Sequence, residues 1–170
     1  GPSEIRMFDL AGKPLGALPS QPISTNALGE RLEGDEILVG SQSYVSAPAW
    51  YRFDAASGRK LERTALAAPS KVSFDDAEVV RELVTTRDGA RVPVNILMRK
   101  GTKLDGSNPV LLTGYGGYGI SLQPAFSERN RVWLDAGGIY AVANLRGGGE
   151  FGEAWHHAGN LAKKQNVFDD

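Results

Sequence analysis

Two apolar runs in this chain each end in a burst of glycine. Pro109-Val110-Leu111-Leu112 leads into Gly114-Tyr115-Gly116-Gly117-Tyr118-Gly119, and Ile139-Tyr140-Ala141-Val142-Ala143-Asn144-Leu145 leads into Arg146-Gly147-Gly148-Gly149-Glu150-Phe151-Gly152. Short apolar runs bounded by glycine read as buried strands. Glycine reaches positive φ and lets a backbone come close to its neighbour, so glycines at a strand's carboxyl end free that end for a ligand. Between the two runs, Ser127 to Ala136 reads as a short helix closed by Gly137-Gly138. Strand, helix and strand in that order predict an α/β segment.

The region before it has a different texture. Glu4-Ile5-Arg6-Met7-Phe8 alternates and stops at Ala11-Gly12, Glu36-Ile37-Leu38-Val39 is short and apolar, and Ala49 to Asp54 faces Arg59 to Arg63 across Ala55-Ala56-Ser57-Gly58 as a hairpin. Several short antiparallel strands in so few residues predict one β-propeller blade and part of another. Small residues from Ala65 to Ser73, with Pro69 among them, read as a linker, which puts a domain boundary between residues 73 and 74. Beyond it, Val79 to Thr86 and Ala90 to Met98 flank Arg87-Asp88-Gly89 as a second hairpin, with Pro93 predicting an edge position or a bulge. Asn166 is predicted to cap a helix beginning near the end of the chain, with Asp169 three residues on.

Composition excludes several classes of function. Net charge is −1 and basic residues do not exceed acidic ones, which argues against a nucleic-acid surface. The chain has no cysteine, so disulfides, thiolate metal sites and thiol nucleophiles are excluded. No apolar run is long enough for a membrane helix. A soluble protein, cytoplasmic or periplasmic, is the expectation, with the compartment open. Since residue 1 is glycine rather than methionine, the chain is expected to begin after processing or within a longer polypeptide.

Few side chains offer chemistry. His156 and His157 are adjacent, about 100° apart on a helix, and cannot share a metal as an i, i+4 pair would. They read as solvated or supporting histidines, and no metal or cofactor is expected. Arg146 reads as a structural ion pair with a carboxylate such as Glu150. Trp50, Trp133 and Trp155 read as core residues. Both glycine clusters match Gly-x-Gly-x-x-Gly, through Gly114, Gly116 and Gly119 and through Gly147, Gly149 and Gly152. A dinucleotide site also needs an acid at the tip of the next parallel strand, and the residues leading to Asp169 do not read as a strand. Tyr115 and Tyr118 are either half-buried turn aromatics or, given their glycine setting, working groups. A phenol can donate to a developing oxyanion, and its ring can wall an apolar pocket.

From Asn108 to Asp170, Gly-Tyr-Gly-Gly-Tyr, then Trp133-Leu-Asp-Ala-Gly-Gly-Ile-Tyr-Ala-Val-Ala-Asn-Leu-Arg-Gly-Gly-Gly-Glu-Phe-Gly152, then Lys-Gln-Asn-Val-Phe-Asp-Asp resemble the prolyl oligopeptidase family of serine peptidases. The resemblance covers most of Val79 to Asp170, while Gly1 to Ala68 is similar only in pattern. It implies part of an α/β-hydrolase domain, residues 74–170, preceded by the last antiparallel blade or blades of a β-propeller, residues 1–73. It further implies a monomeric enzyme without cofactor that cleaves short proline-containing peptides on the carboxyl side of proline. Tyr115 aligns with a tyrosine of the oxyanion hole, and Tyr118 with an aromatic, usually phenylalanine, that lines the proline pocket. The extra hydroxyl of Tyr118 is a departure that would narrow or polarise one wall. No Gly-x-Ser-x-Gly turn is present, so the nucleophile, acid and histidine of the triad are expected beyond Asp170 and the chain alone is expected to be inactive. Two alternatives stay open: an oligopeptidase of different specificity, and a non-catalytic module with a hydrolase-like fold.

Overall fold

A computed structural model describes residues 1–55 and 60–170 and divides them into two compact units. One comprises residues 2–73 with 123–127, and the other comprises Gly1, 74–122 and 128–170.

The first unit is all β. Strands β1 (Arg6–Phe8) and β2 (Pro14–Ala17) form a small hairpin, and β3 (Ser24–Arg31), β4 (Glu36–Ser43), β5 (Ala49–Asp54) and β6 (Leu61–Ala67) form a four-stranded antiparallel meander. Alternation places Val39 of β4 and Phe53 of β5 in a core with Leu18, against which Ile5, Met7, Ile37 and Leu61 pack. The expected hairpin between β5 and β6 is present as a ladder, with Arg52 opposite Glu62 and Phe53 opposite Leu61. Its turn, Ala56 to Arg59, lies outside the described residues. β6 runs on to Ala67, so the stretch expected to be linker begins as strand. β2 and β3 carry no apolar alternation, being exposed along most of their length. Trp50 departs from its expected core position: it is 38% exposed and lies over Gly29, which has no room for a side chain beneath the indole, and over Gly40, where a Cβ would press on the ring at 3.3 Å.

The second unit is built on a mixed sheet. β7 (Ala77–Thr85) and β8 (Arg91–Arg99) pair antiparallel, β10 (Ile139–Ala143) pairs antiparallel with β8, and β9 (Val110–Gly114) pairs parallel with β10, giving the order β7-β8-β10-β9. β8 is interior and buried on both faces, with Val92 and Leu97 each 1% exposed. Pro93 therefore sits in neither an edge strand nor a bulge; the β7–β8 register runs unbroken through Leu83 opposite Pro93. The Pro93 carbonyl accepts from Asn144 N at 2.8 Å, just past the end of β10. The missing N–H faces the same residue, the first beyond β10, so the proline forfeits only a bond at the very end of that ladder.

Between the two parallel strands, helix α1 (Arg129–Asp135) packs on β10 and buries Leu134 completely. It ends as expected, with Gly137 at φ 81° and its N–H on Leu134 O at 3.0 Å. Arg131 pairs with Asp76 at 2.5 Å and with Asp135, and Arg99 reaches Asp135 at 2.8 Å, tying α1 to the ends of β7 and β8. Helices α2 (Glu153–His157) and α3 (Gln165–Asp169) follow. α3 is capped by Lys164 and begins one residue before the expected Asn166 cap. Asn166 lies inside the helix, where its amide donates to Ala158 O at 2.8 Å instead of capping. Truncating Leu97 to alanine in this doubly covered strand should lower the unfolding free energy of its unit by about 2–5 kcal/mol, measured by urea denaturation.

Candidate functional site

The parallel register levels the two glycine turns. Gly114 lies opposite Ala143, so both chains leave the sheet at the same edge, side by side. The turns then pack backbone on backbone. Gly119 N donates to Gly147 O at 3.0 Å, and Ile120 N donates to Gly117 O at 3.0 Å. A Cβ on Gly147 would sit 2.5 Å from Gly116 O; one on Gly149 would collide with Gly119 O; one on Gly116, at φ 60°, would collide with Val167 and lie 2.8 Å from Arg146 O. These glycines serve first to let two loops interlock, and only then to leave a rim open.

Tyr115 and Tyr118 emerge from the first turn. Their rings stack at 6.5 Å between centroids and 30° between planes, 46% and 85% exposed respectively. Tyr118 holds φ 52°, a left-handed conformation costing a non-glycine residue about 1–2 kcal/mol. The structure thus brings the two candidate tyrosines into one aromatic pair facing outward.

Helix α2 clasps the second turn. Gly147 N donates to Trp155 O at 2.9 Å, and Trp155 Nε1 donates to Leu145 O at 3.0 Å. His156 Nδ1 lies 2.9 Å from Gly147 O, so that nitrogen carries the proton. His157 is exposed and lies 3.4 Å from Glu153. Among the described residues no cluster of histidine and carboxylate side chains could hold a metal ion. Asp169 lies within α3 and not on a strand.

Arg146 is ion-paired, but not to Glu150. Its buried guanidinium reaches Asp88 Oδ2 at 2.6 Å and Asp170 Oδ1 at 2.8 Å from Nε, and its backbone N–H donates to Asp170 Oδ2 at 2.8 Å. The Arg146 hydrogen bond, followed by that from Thr86, holds the Asp88 carboxyl well below its usual 3.8. Glu150 belongs to a separate polar seam that is 3% exposed at its own side chain. Its Oε1 accepts from Leu122 N at 3.0 Å and Asn144 Nδ2 at 2.8 Å, while Arg81 donates to Asn95 at 2.7 Å and to Asn144 at 3.1 Å. Asp88 signals only a turn in sequence, and nothing local marks Asp170 as the partner of a residue so distant along the chain.

Parallel strands delivering paired loops at their carboxyl ends define the α/β arrangement in which ligand sites are built. Residues 124–170 match the Prolyl oligopeptidase family. The chain is 41% identical to a prolyl endopeptidase of Elizabethkingia miricola, over 99% of this chain and 24% of that protein. It is 32% identical to a prolyl endopeptidase of Dictyostelium discoideum, over 98% of this chain and 22% of that protein. Among solved structures it superposes with a TM-score of 0.86 at 38% identity on a prolyl endopeptidase studied for inter-domain dynamics in catalysis and specificity, covering 98% of this chain and 24% of that one. Prolyl oligopeptidase B of Galerina marginata, bound to a 35mer hydrolysis and macrocyclization substrate, superposes with a TM-score of 0.86 at 29% identity, over 98% and 24% of the two chains. Over nearly its whole length the chain is similar to members of the prolyl oligopeptidase family. It spans about a quarter of the length of the curated relatives it matches.

The interlocked turns set two expectations. Gly116→Ala should destabilise the second unit by about 1–3 kcal/mol in urea unfolding, because the added methyl meets Val167 and a backbone carbonyl at once. Asp88 titrates in the folded state below its unfolded value, so its pairing with Arg146 contributes fully above that value and is lost as the pH falls below about 4. Melting temperature should drop in that acid range, and Asp88→Asn should flatten that part of the Tm–pH curve.

Proposed function

We propose that this chain is part of a serine endopeptidase that hydrolyses short peptides on the carboxyl side of proline. Residues 74–170 belong to an α/β-hydrolase catalytic domain, and residues 1–73 to the last blade or blades of a β-propeller. Tyr115 donates its hydroxyl to the oxyanion of the tetrahedral intermediate, and Tyr118 walls the pocket that takes the proline ring. The complete enzyme works as a monomer without cofactor.

The observation that carries this reading is the position of Tyr115. Its phenol stands exposed at the carboxyl end of β9, on a turn locked backbone to backbone against its neighbour. An oxyanion donor must already be in place when charge develops, since a group that has to reorganise loses most of its benefit. Tyr118 adds a second argument. A tyrosine held at positive φ, where glycine would sit without strain, points to a use for its ring.

The chemistry sorts the roles. In acyl transfer the negative charge gathers on the former carbonyl oxygen, and a neutral phenol stabilises it without supplying a proton to the wrong atom. The nucleophile must come from a Ser in a strained strand-to-helix turn, and no Gly-x-Ser-x-Gly occurs in this chain.

In the complete polypeptide, Tyr115→Phe should lower kcat/KM for a chromogenic prolyl peptide by about 10²–10³ while leaving the melting temperature in place. Unchanged kinetics would refute the oxyanion role. The 170 residues expressed alone should show no hydrolysis of the same peptide; turnover blocked by a serine-directed phosphonate would contradict the assignment of the nucleophile to another segment.

A further inference from the structure

The turn that carries Tyr115 is mostly glycine, with Gly114, Gly116, Gly117 and Gly119 surrounding the two tyrosines. Such a backbone has little stiffness of its own. A donor that must be held to within about 0.5 Å of its working position needs anchors from outside the turn.

Three such anchors lie on one short segment. Lys164, at the cap of α3, donates from Nζ to Gly116 O at 2.6 Å, across 48 residues of chain. Val167, 5% exposed, fills the space where a side chain on Gly116 would stand. Asp170 takes both the backbone N–H and the guanidinium of Arg146, whose own carbonyl lies against Gly116. Lys164 and Asp170 cap the two ends of α3, and successive members of the set are three apart, the spacing of neighbours on a helix surface.

Lys164 is the member whose contact is most specific to Tyr115. The carbonyl it holds is that of Gly116, the residue next to the tyrosine, in the second peptide after Tyr115. A Cβ on Gly117 would lie 3.7 Å from Lys164 Nζ and 3.6 Å from Tyr115 Cε1, so ammonium and phenol ring flank the same point of backbone. Among the described residues no carboxylate forms an ion pair with Lys164. Its charge is spent on a carbonyl oxygen instead, as a charge-assisted bond that fixes the orientation of one peptide plane.

We propose that Lys164 is a positioning residue for Tyr115: by holding the Gly116 carbonyl it sets where the phenol stands when the oxyanion forms. This rests on the peptidase reading above. Lys164 touches neither substrate nor reacting atoms; its effect passes through the turn.

The test is a double-mutant cycle in the complete polypeptide, using a chromogenic prolyl peptide. Lys164→Met should lower kcat by about 10- to 100-fold, the scale on which small misplacements of a catalytic group act, with KM held within about 2-fold. In the Tyr115→Phe background the same substitution should change kcat by less than about 2-fold, since the group it positions is gone. Lys164→Arg, which keeps a charged donor, should give a kcat between those of Lys164→Met and the parent. An unchanged kcat in Lys164→Met overturns the proposal, and so does a loss that multiplies fully with Tyr115→Phe, because that describes a structural lysine. Should Lys164→Met not fold, the cycle is run with Lys164→Arg against Tyr115→Phe, and full multiplicativity there overturns the proposal equally. A parent polypeptide inactive on prolyl peptides, or one indifferent to Tyr115→Phe, removes the peptidase reading and this inference together. An active parent that is sensitive at Tyr115 and indifferent at Lys164 removes this inference alone.

Discussion

Everything at the candidate site depends on two turns lying backbone against backbone. The hydrogen bond from Gly119 N to Gly147 O is ordinary in strength, but the close approach around it leaves no space for a Cβ at Gly116, Gly147 or Gly149. The parallel register of β9 and β10 is what makes the contact possible, because it ends both strands at the same level. A shift of one residue between these strands would separate the turns by about 3.3 Å and move Tyr115 with them. The aromatic pair, the clasp of α2 and the grip of α3 are all fastened to this one junction.

Charge is used around the junction in two separate ways. Arg146 is buried and holds one carboxylate from the β7–β8 hairpin and one from the end of α3, so three segments distant in sequence share a single cation. Breaking such a pair from one side leaves the other charge stranded, which makes these contacts costly to disturb even if their net contribution is modest. The seam of Arg81, Asn95, Asn144 and Glu150 runs through the sheet with little contact with water. Asn95 and Asn144, each 1% exposed, are polar groups in core positions, satisfied by one another and by the arginine.

Much of the second unit was legible in sequence because its strands are apolar and its stops are glycine. Ile139 to Ala143, the helix ending at Gly137 and the hairpin around Asp88 and Gly89 follow that rule; Val110 to Thr113 is the expected strand, but it lies at the sheet edge and is exposed rather than buried. β2 and β3 were not legible, since Pro14-Leu15-Gly16-Ala17 and most of Ser24 to Arg31 face outward and carry no periodic apolar signal. Helix α2 is five residues long with none buried, too short for a period to register. Pro93 misled because its harmlessness depends on where a neighbouring strand ends, a tertiary fact. Arg146 could be read as ion-paired, yet Glu150, close in sequence, was the wrong partner; the right ones are 58 and 24 residues away. The tyrosines were legible as candidates from their glycine setting, whereas Lys164 was not, because a lysine on a short polar stretch carries no local mark of its target.

β9 has a consequence of its own. Val110, Leu111 and Leu112 are 55%, 50% and 63% exposed, and among the described residues the strand is hydrogen-bonded only to β10. An uncharged, apolar edge strand with one bare ladder is a template for strand addition between molecules. The colloidal behaviour of any shortened form that leaves this edge uncovered is therefore governed by three side chains rather than by its near-neutral charge, and aggregation would begin there while both units were still folded.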